Sequence, residues 1–277
     1  MADASVRAPV TGLIGLWGVA ALFMVAVMSA AWGVQRRTGQ GGWADAFWSL
    51  GLGAAGVGVA LFPIDGAAPS PRQWLAALLI GAWGLRLGLH IAKRAAGEGE
   101  DARYARLRKD WGRGFQAKMF GFLMLQAGAA ALLSLSVLVA ARNPAPGLTL
   151  EDALATLIFV GALFGEGVAD RQLAAFKRDP ANKGKVCDVG LWAWSRHPNY
   201  FFEWLGWCAW PVFAISLGGG WPWGWLALTG PAYMYWLLTQ VSGVPLLEAH
   251  MKRSRPDAFA DYVEKTPSAF FLRPPRR

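Results

Sequence analysis

Cysteine is nearly absent from this 277-residue chain: Cys187 and Cys208 are the two, too far apart for a CxxC motif. Neither a disulfide framework nor a zinc ribbon is therefore implied. Histidine is almost as scarce, with His90, His197 and His250 as the three. That is too few for a histidine-rich di-iron centre, no pair shares a helix face as haem ligands would, and no metal site is expected. No P-loop, GxSxG or HExxH occurs, so ATP hydrolysis, serine hydrolysis and zinc proteolysis have no motif behind them. Charged residues make up only 16 % of the chain, and Ser/Gly-rich linkers and repeats of solenoid period are missing. What is abundant is apolar: 55 % of residues are hydrophobic and the mean hydropathy is +0.30, which excludes disorder and is unusual for a water-soluble domain. Sixteen Trp against five Tyr fit bilayer boundaries, where an amphipathic indole is comfortable. The net charge of +9 suits nucleic acid, an anionic cofactor or a headgroup surface.

Apolar stretches fall at about 11–34, 44–62, 73–92, 115–141, 152–169, 201–217 and 221–247, seven candidate spans of which the fifth and sixth are short for the roughly 20 residues a crossing helix needs. The first is longer than a signal-peptide core and its n-region carries only Arg7, so a retained helix is expected. Most of the 27 basic residues follow spans one, three and five or form the tail that ends in Arg276 and Arg277. The alternate loops hold little: Arg72 with Asp65, Arg142 with Glu151 and Asp152, and the Gly218-Gly219-Gly220 turn. Positive-inside sorting then predicts an all-α polytopic membrane protein, one domain over 1–277, with its N-terminus outside and its C-terminus cytoplasmic. Because the basic residues follow topology, nucleic acid is not an expected partner; membrane lipid is, and no obligate protein partner is inferred. Gly84/Gly88 and Gly161/Gly165 are GxxxG pairs suited to close helix approach. Gly51, Gly53 and Gly56 match GxGxxG but lie inside an apolar helix, so they are read as packing residues, not as a dinucleotide loop.

Several polar residues exceed what topology requires. The segment from Asp170 to Glu203 interleaves Lys177, Lys185 and Arg196 with aromatics and hydrogen-bonding groups. Its densest part is Ser195-Arg196-His197-Pro198-Asn199-Tyr200, where Pro198 suits a first helical position and Arg196 and His197 flank a turn with free N–H groups, a favourable anion site. Asn199 and Glu203, four apart, share a helix face and are read as binding a common ligand or each other. A carboxylate there costs about 2.5–3.5 kcal/mol at the membrane centre, less near its edge, and so calls for a partner or water. Arg86 lies within span three on a face with Trp83 and His90, a snorkelling cation or a ligand contact. Asp45, three residues before Trp48, is either a helix-start acid or, in a closed cavity, a protonated donor to a substrate oxygen.

At these residues the chain resembles a bacterial branch of the steroid 5-alpha-reductase family, relatives often labelled a domain of unknown function. The likeness runs from about residue 43 to 270 through Ser195–Glu203, through Arg86, Arg94, Gly97 and Glu100-Asp101-x-Arg103-Tyr104, through Asp45 with Trp48, and through Phe259-x-x-Tyr262 before Phe270-Phe271. It implies a seven-helix enzyme of the bacterial inner membrane that uses NADPH from the cytoplasmic side. Asp170, Lys177, Lys185, Arg196, His197, Asn199, Tyr200 and Glu203 would bind the cofactor with Arg86, Arg94 and Glu248; Trp48 and Trp83 would bind substrate. Glu166 stands where relatives have Asn, and Trp83 where steroid reductases carry a Tyr. The implied activity is reduction of the Δ4 double bond of a 3-oxo steroid or a similar apolar enone: hydride adds to the β-carbon while an acid, assigned to Asp45, stabilises the enolate. The alternative is an S-adenosylmethionine-dependent methyltransferase of the isoprenylcysteine carboxyl type, similar in Arg196–Tyr200 and a later Glu, here Glu248. A third possibility is a lipid-binding membrane protein without catalysis.

Overall fold

The computed structural model describes residues 4–64, 66–97, 100–216 and 220–275; the Arg7 side chain, Asp65, Gly218, Gly219, Arg276 and Arg277 lie outside the described residues. All regular structure among the described residues is helical: α1 (Ala4–Thr38), α2 (Trp43–Leu61), α3 (Pro71–Gly97), α4 (Ala102–Trp111), α5 (Phe115–Ala141), α6 (Leu150–Arg178), α7 (Pro198–Trp207), α8 (Ala209–Ala214), α9 (Thr229–Trp236), α10 (Val244–Ser254) and α11 (Pro256–Lys265). Five segments are long and apolar enough to cross a membrane, Thr11–Thr38, Trp43–Leu61, Pro71–Gly97, Arg103–Ala141 and Leu150–Arg178. They coincide with the first five apolar stretches and mark the chain as an integral membrane protein.

The last two stretches are not continuous α-helices. α7 stops at Trp207, four residues before Pro211, whose ring would collide with the Trp207 carbonyl and which has no N–H to offer it. Pro222 opens a 3₁₀ segment, Pro222–Leu228. Pro231 leaves the Ala227 carbonyl without its helical donor, and the Ser136 hydroxyl supplies one at 2.9 Å. A π turn over Leu237–Val241 follows α9, and Gly243 sits against the Leu238 backbone where a Cβ has no room. Proline and glycine inside apolar stretches thus set breaks that hydropathy alone does not show.

The chain divides into two compact units, Met1–Thr149 with Phe213–Thr229, and Leu150–Val212 with Gly230–Arg277. In the first unit α2 is the packing centre. A Cβ on Gly53 would lie 2.9 Å from the Gly84 Cα and one on Gly84 2.7 Å from the Gly53 Cα; Gly51 meets Met24 and Val27 of α1, and Gly56 meets Ile80. The GxGxxG glycines are packing residues, as read from their apolar setting. Helix α5 runs antiparallel to α1, tied by Trp17 Nε1 to the Ala131 carbonyl at 2.7 Å and Trp32 Nε1 to the Gln116 carbonyl at 3.3 Å. Arg72, buried, donates to the carbonyls of Asn143 and Ala145, and Arg142 to those of Val59 and Phe62. These two cations secure loop backbone.

In the second unit α6 and α7 are antiparallel. Gly165 admits the Phe202 ring, and a Cβ on Gly206 would rest 3.6 Å from Ala162. Gly161 has open space where its Cβ would be, so only Gly165 of that expected pair packs closely. Phe201, Trp204, Tyr235, Phe270 and Phe271 form an aromatic cluster with centroids 5.3 to 6.2 Å apart.

Candidate functional site

In the first unit, Asp45 is brought against the Glu100-Asp101-x-Arg103-Tyr104 segment. Asp101 caps α4, accepting from the Arg103 backbone N–H at 2.9 Å, and this sets Arg103 and Tyr104 on the first turn. Arg103 Nη2 then lies 2.6 Å from Asp45 Oδ2 and 3.1 Å from Asp101 Oδ2, while the Tyr104 hydroxyl donates to Asp45 Oδ1 at 2.9 Å. The Tyr104 ring occupies the space a side chain at Gly41 would need. Burial works to raise the Asp101 carboxyl, but the hydrogen bonds and charge of Arg103, with Arg94 at 3.6 Å, outweigh it and leave the group below its ordinary value.

Both Asp45 oxygens accept, one of them from a guanidinium at ion-pair distance. Within this cluster the Tyr104 phenol is the hydroxyl donor to Asp45, the residue expected to act as the acid. Its motif is visible in the sequence, but its pairing with Asp45 across 59 positions is not. Trp48 and Trp83 meet edge to face at 6.4 Å, with Trp48 Nε1 bonded to the Gln126 carbonyl at 3.0 Å. Arg86 is partly buried on α3, His90 is exposed, and Arg94, exposed, lies 3.6 Å from Asp101.

In the second unit the Ser195–Tyr200 motif is a junction. Ser195 Oγ donates to the Phe270 carbonyl at 2.9 Å, the Arg196 N–H to the Ser268 carbonyl at 3.0 Å, and Arg196 Nη1 to those of Thr266 and Pro267 at 2.8 and 2.9 Å. The Tyr262 hydroxyl, pushed well up by burial, donates to the Trp192 carbonyl at 2.6 Å. Arg196 Nε meets Glu248 Oε1 at 2.8 Å, His197 Nε2 is 3.4 Å from the same oxygen, and the His197 ring stacks on Tyr200 at 5.5 Å. Burial acts to raise Glu248, but its hydrogen bonds from His197 and Arg196 prevail and hold the carboxyl down at about 2. Arg196, expected to meet cofactor phosphates, is therefore buried and committed to Glu248 and to carbonyls of the C-terminal segment. Glu248, the expected cofactor contact, is its counter-ion. The tail contacts join residues some 70 positions apart, and nothing in local spacing announces them.

The α6–α7 register puts Asp170 level with the N-terminus of α7 and Glu166 level with the Phe202–Glu203 turn. Glu203 is buried and accepts from Trp207 Nε1 at 2.9 Å, an i,i+4 pair legible in the sequence. Asn199 Oδ1 takes the Tyr200 N–H at 3.1 Å; no hydrogen bond joins Asn199 to Glu203. Pro198 is the first helical residue, and His197 at the N-cap places no side chain on the first-turn N–H groups. Lys177 and Lys185 are exposed near the end of α6 and on the loop after it. What this region offers a polar ligand is two exposed ammonium groups and the Asn199 amide nitrogen; the first turn of α7 adds little, because Pro198 has no N–H and the Tyr200 N–H is taken by Asn199 Oδ1.

No curated protein and no solved structure matches the chain. A family model described as a protein of unknown function (DUF1295) matches residues 31–266. The match spans both the Asp45–Tyr104 and the Asp170–Glu248 regions, and the chain belongs to that family.

Proposed function

We propose that the protein is a membrane reductase that uses NADPH to reduce an activated carbon–carbon double bond in an apolar enone, with a 3-oxo-Δ4 steroid as the candidate substrate. The observation that supports this reading is the α6–α7 register, which sets Asp170 level with the start of α7 that carries Asn199, one turn before Glu203; Lys177 lies two turns further along α6, exposed like Lys185. On this reading Lys177 and Lys185 bind the phosphates, and Asn199, Asp170 and Glu203 orient the nucleoside and carboxamide by hydrogen bonds. NADPH, when bound, supplies a hydride. The substrate carbonyl is polarised by the Tyr104 phenol, which turns its single O–H from Asp45 to the substrate oxygen on binding, while Arg103 continues to pair with Asp45. One preorganised donor is typically worth about 2.7–4 kcal/mol of barrier. Trp48 and Trp83 offer the apolar wall against which a flat ring system packs. The further assignment of seven crossings, cytoplasmic cofactor entry and the bacterial inner membrane follows the charge distribution and the likeness described above.

The methyltransferase reading gains one observation, since Arg196, His197 and Glu248 do come together. Their burial and mutual neutralisation favour a structural role, and this ranks it second. Purified protein titrated with NADPH and with S-adenosylmethionine separates the two by thermal stabilisation. Stabilisation by NADPH, lost in both Asn199→Ala and Glu203→Ala, is the expected result. Stabilisation by S-adenosylmethionine alone would establish the rival, and a response to neither would favour a non-catalytic lipid-binding protein.

A further inference from the structure

We propose that the outer face of α1 ends in a binding site for the phosphate headgroup of an anionic phospholipid, held by Arg36 and Arg37 beside a shelf formed by Trp32. The inference rests on membrane insertion of α1 and not on the reductase reading. An open groove of about 370 Å³ is lined by Trp32, Gly33, Arg36 and Arg37. Its indole wall is fixed from behind: Trp32 Nε1 donates to the Gln116 carbonyl at 3.3 Å and the ring packs edge to face on Phe120 at 5.2 Å. The Arg36 guanidinium lies over the indole, 4.8 Å from its centroid. Arg36 and Arg37 are exposed, and no carboxylate among the described residues engages either, in contrast to Arg103, Arg108 and Arg196. A Cβ added at Gly33 would find nothing within 4 Å, so helix packing gives no reason for a glycine there and the groove floor is open.

The approach to this groove is apolar. Leu22, Ala26 and Ala30 are exposed at helical spacing and lead to Gly33 and Arg37. From Leu22 to Gly33 the helix rises about 16 Å, near half of the ~30 Å hydrocarbon core, the depth of one acyl layer. A lipid lying along this stripe would bring its phosphate to two guanidinium groups that no carboxylate among the described residues neutralises, at the depth where an indole is favoured. Charge complementarity selects the lipid over a second copy of the chain. A copy inserted in the same sense would set its own Arg36 and Arg37 against these.

The test uses the full chain in a non-ionic detergent, stripped of lipid and titrated with palmitoyl-oleoyl phosphatidylglycerol or phosphatidylcholine, with bound lipid counted by native mass spectrometry. Tight retention of one phosphatidylglycerol is expected, with weak retention of phosphatidylcholine. Arg36→Gln with Arg37→Gln should weaken retention of the anionic lipid on the order of thirtyfold. Gly33→Leu should weaken it comparably while leaving the charge unchanged, and inorganic phosphate should not compete at millimolar concentration. Arg106→Gln with Lys109→Gln, an exposed basic pair on α4, should leave retention as it was. Equal retention of both lipids, an unaffected Arg36/Arg37 double variant, or an equal loss in the α4 pair would overturn the site. So would displacement by free phosphate, or a dimer that Gly33→Leu dissociates. Circular dichroism of each variant separates lost binding from lost fold.

Discussion

The two units solve the same problem, satisfying a backbone in an apolar setting, by different means. In the first unit long uninterrupted helices satisfy their own amides, and glycine sets the separations, with Gly53 against Gly84 as the closest point. In the second, α7 to α10 are short and interrupted, and Arg196, Ser195 and Tyr262 donate to backbone oxygens of the segments between and after them, as Arg72 and Arg142 do at the helix ends of the first unit. Where the helix is broken, polar side chains become structural. That is why a motif rich in cations, read on its own as a ligand site, turns out to be in part a clamp on the C-terminal segment.

The contrast is most directly broken at Arg196. Arg196→Met should destabilise the protein by about 3 kcal/mol in detergent, because it leaves the half-buried Glu248 carboxylate without its counter-ion and strands the Thr266 and Pro267 carbonyls. Combined with Glu248→Gln the cost should fall short of the sum of the two single losses, as measured by a double-mutant cycle of denaturant unfolding; full additivity would show that the pair is not coupled. The same carboxylate predicts a pH dependence. Its folded value is depressed, from 4.5 to about 2, so it contributes stability above the unfolded value that is lost as pH falls through that window. Glu248→Gln should flatten the acid limb of the stability curve.

The ion cluster of the first unit should behave otherwise. Tyr104→Phe is expected to lower turnover on the order of a hundredfold with little change in NADPH affinity, and Asp45→Asn to do nearly the same. Unchanged turnover in Tyr104→Phe would remove the phenol from the mechanism and return the Asp45 cluster to a purely structural role. Smallest in effect are the glycines. Gly53→Ala should cost about 1–3 kcal/mol because its Cβ meets backbone that cannot give way. Gly161→Ala, with open space, should be neutral or slightly stabilising. Equal melting temperatures for the two would mean that α2 and α3 do not depend on that contact.

Much was legible beforehand. Hydropathy located the first five long helices, and the apolar setting of Gly51, Gly53 and Gly56 identified them as packing residues. The segmentation after Trp207 was less so, since Pro211, Pro222 and Pro231 stand in apolar runs that average to a span. The pairing of Arg196 was not legible, because its partners, Glu248, Thr266 and Pro267, are 52 to 71 positions away.

By itself the sequence determined that this chain enters a membrane as long helices, because apolar length and the spacing of charge are properties a bilayer reads locally. It also supplied a set of polar residues too costly to be incidental. Only the tertiary structure decided which of them hold the protein together and which remain available. Arg103 and Arg196 are paired with Asp45 and Glu248, carboxylates from elsewhere in the chain, whereas Lys177, Lys185, Arg36 and Arg37 stay exposed, because pairing depends on which distant acid the fold brings within about 4 Å.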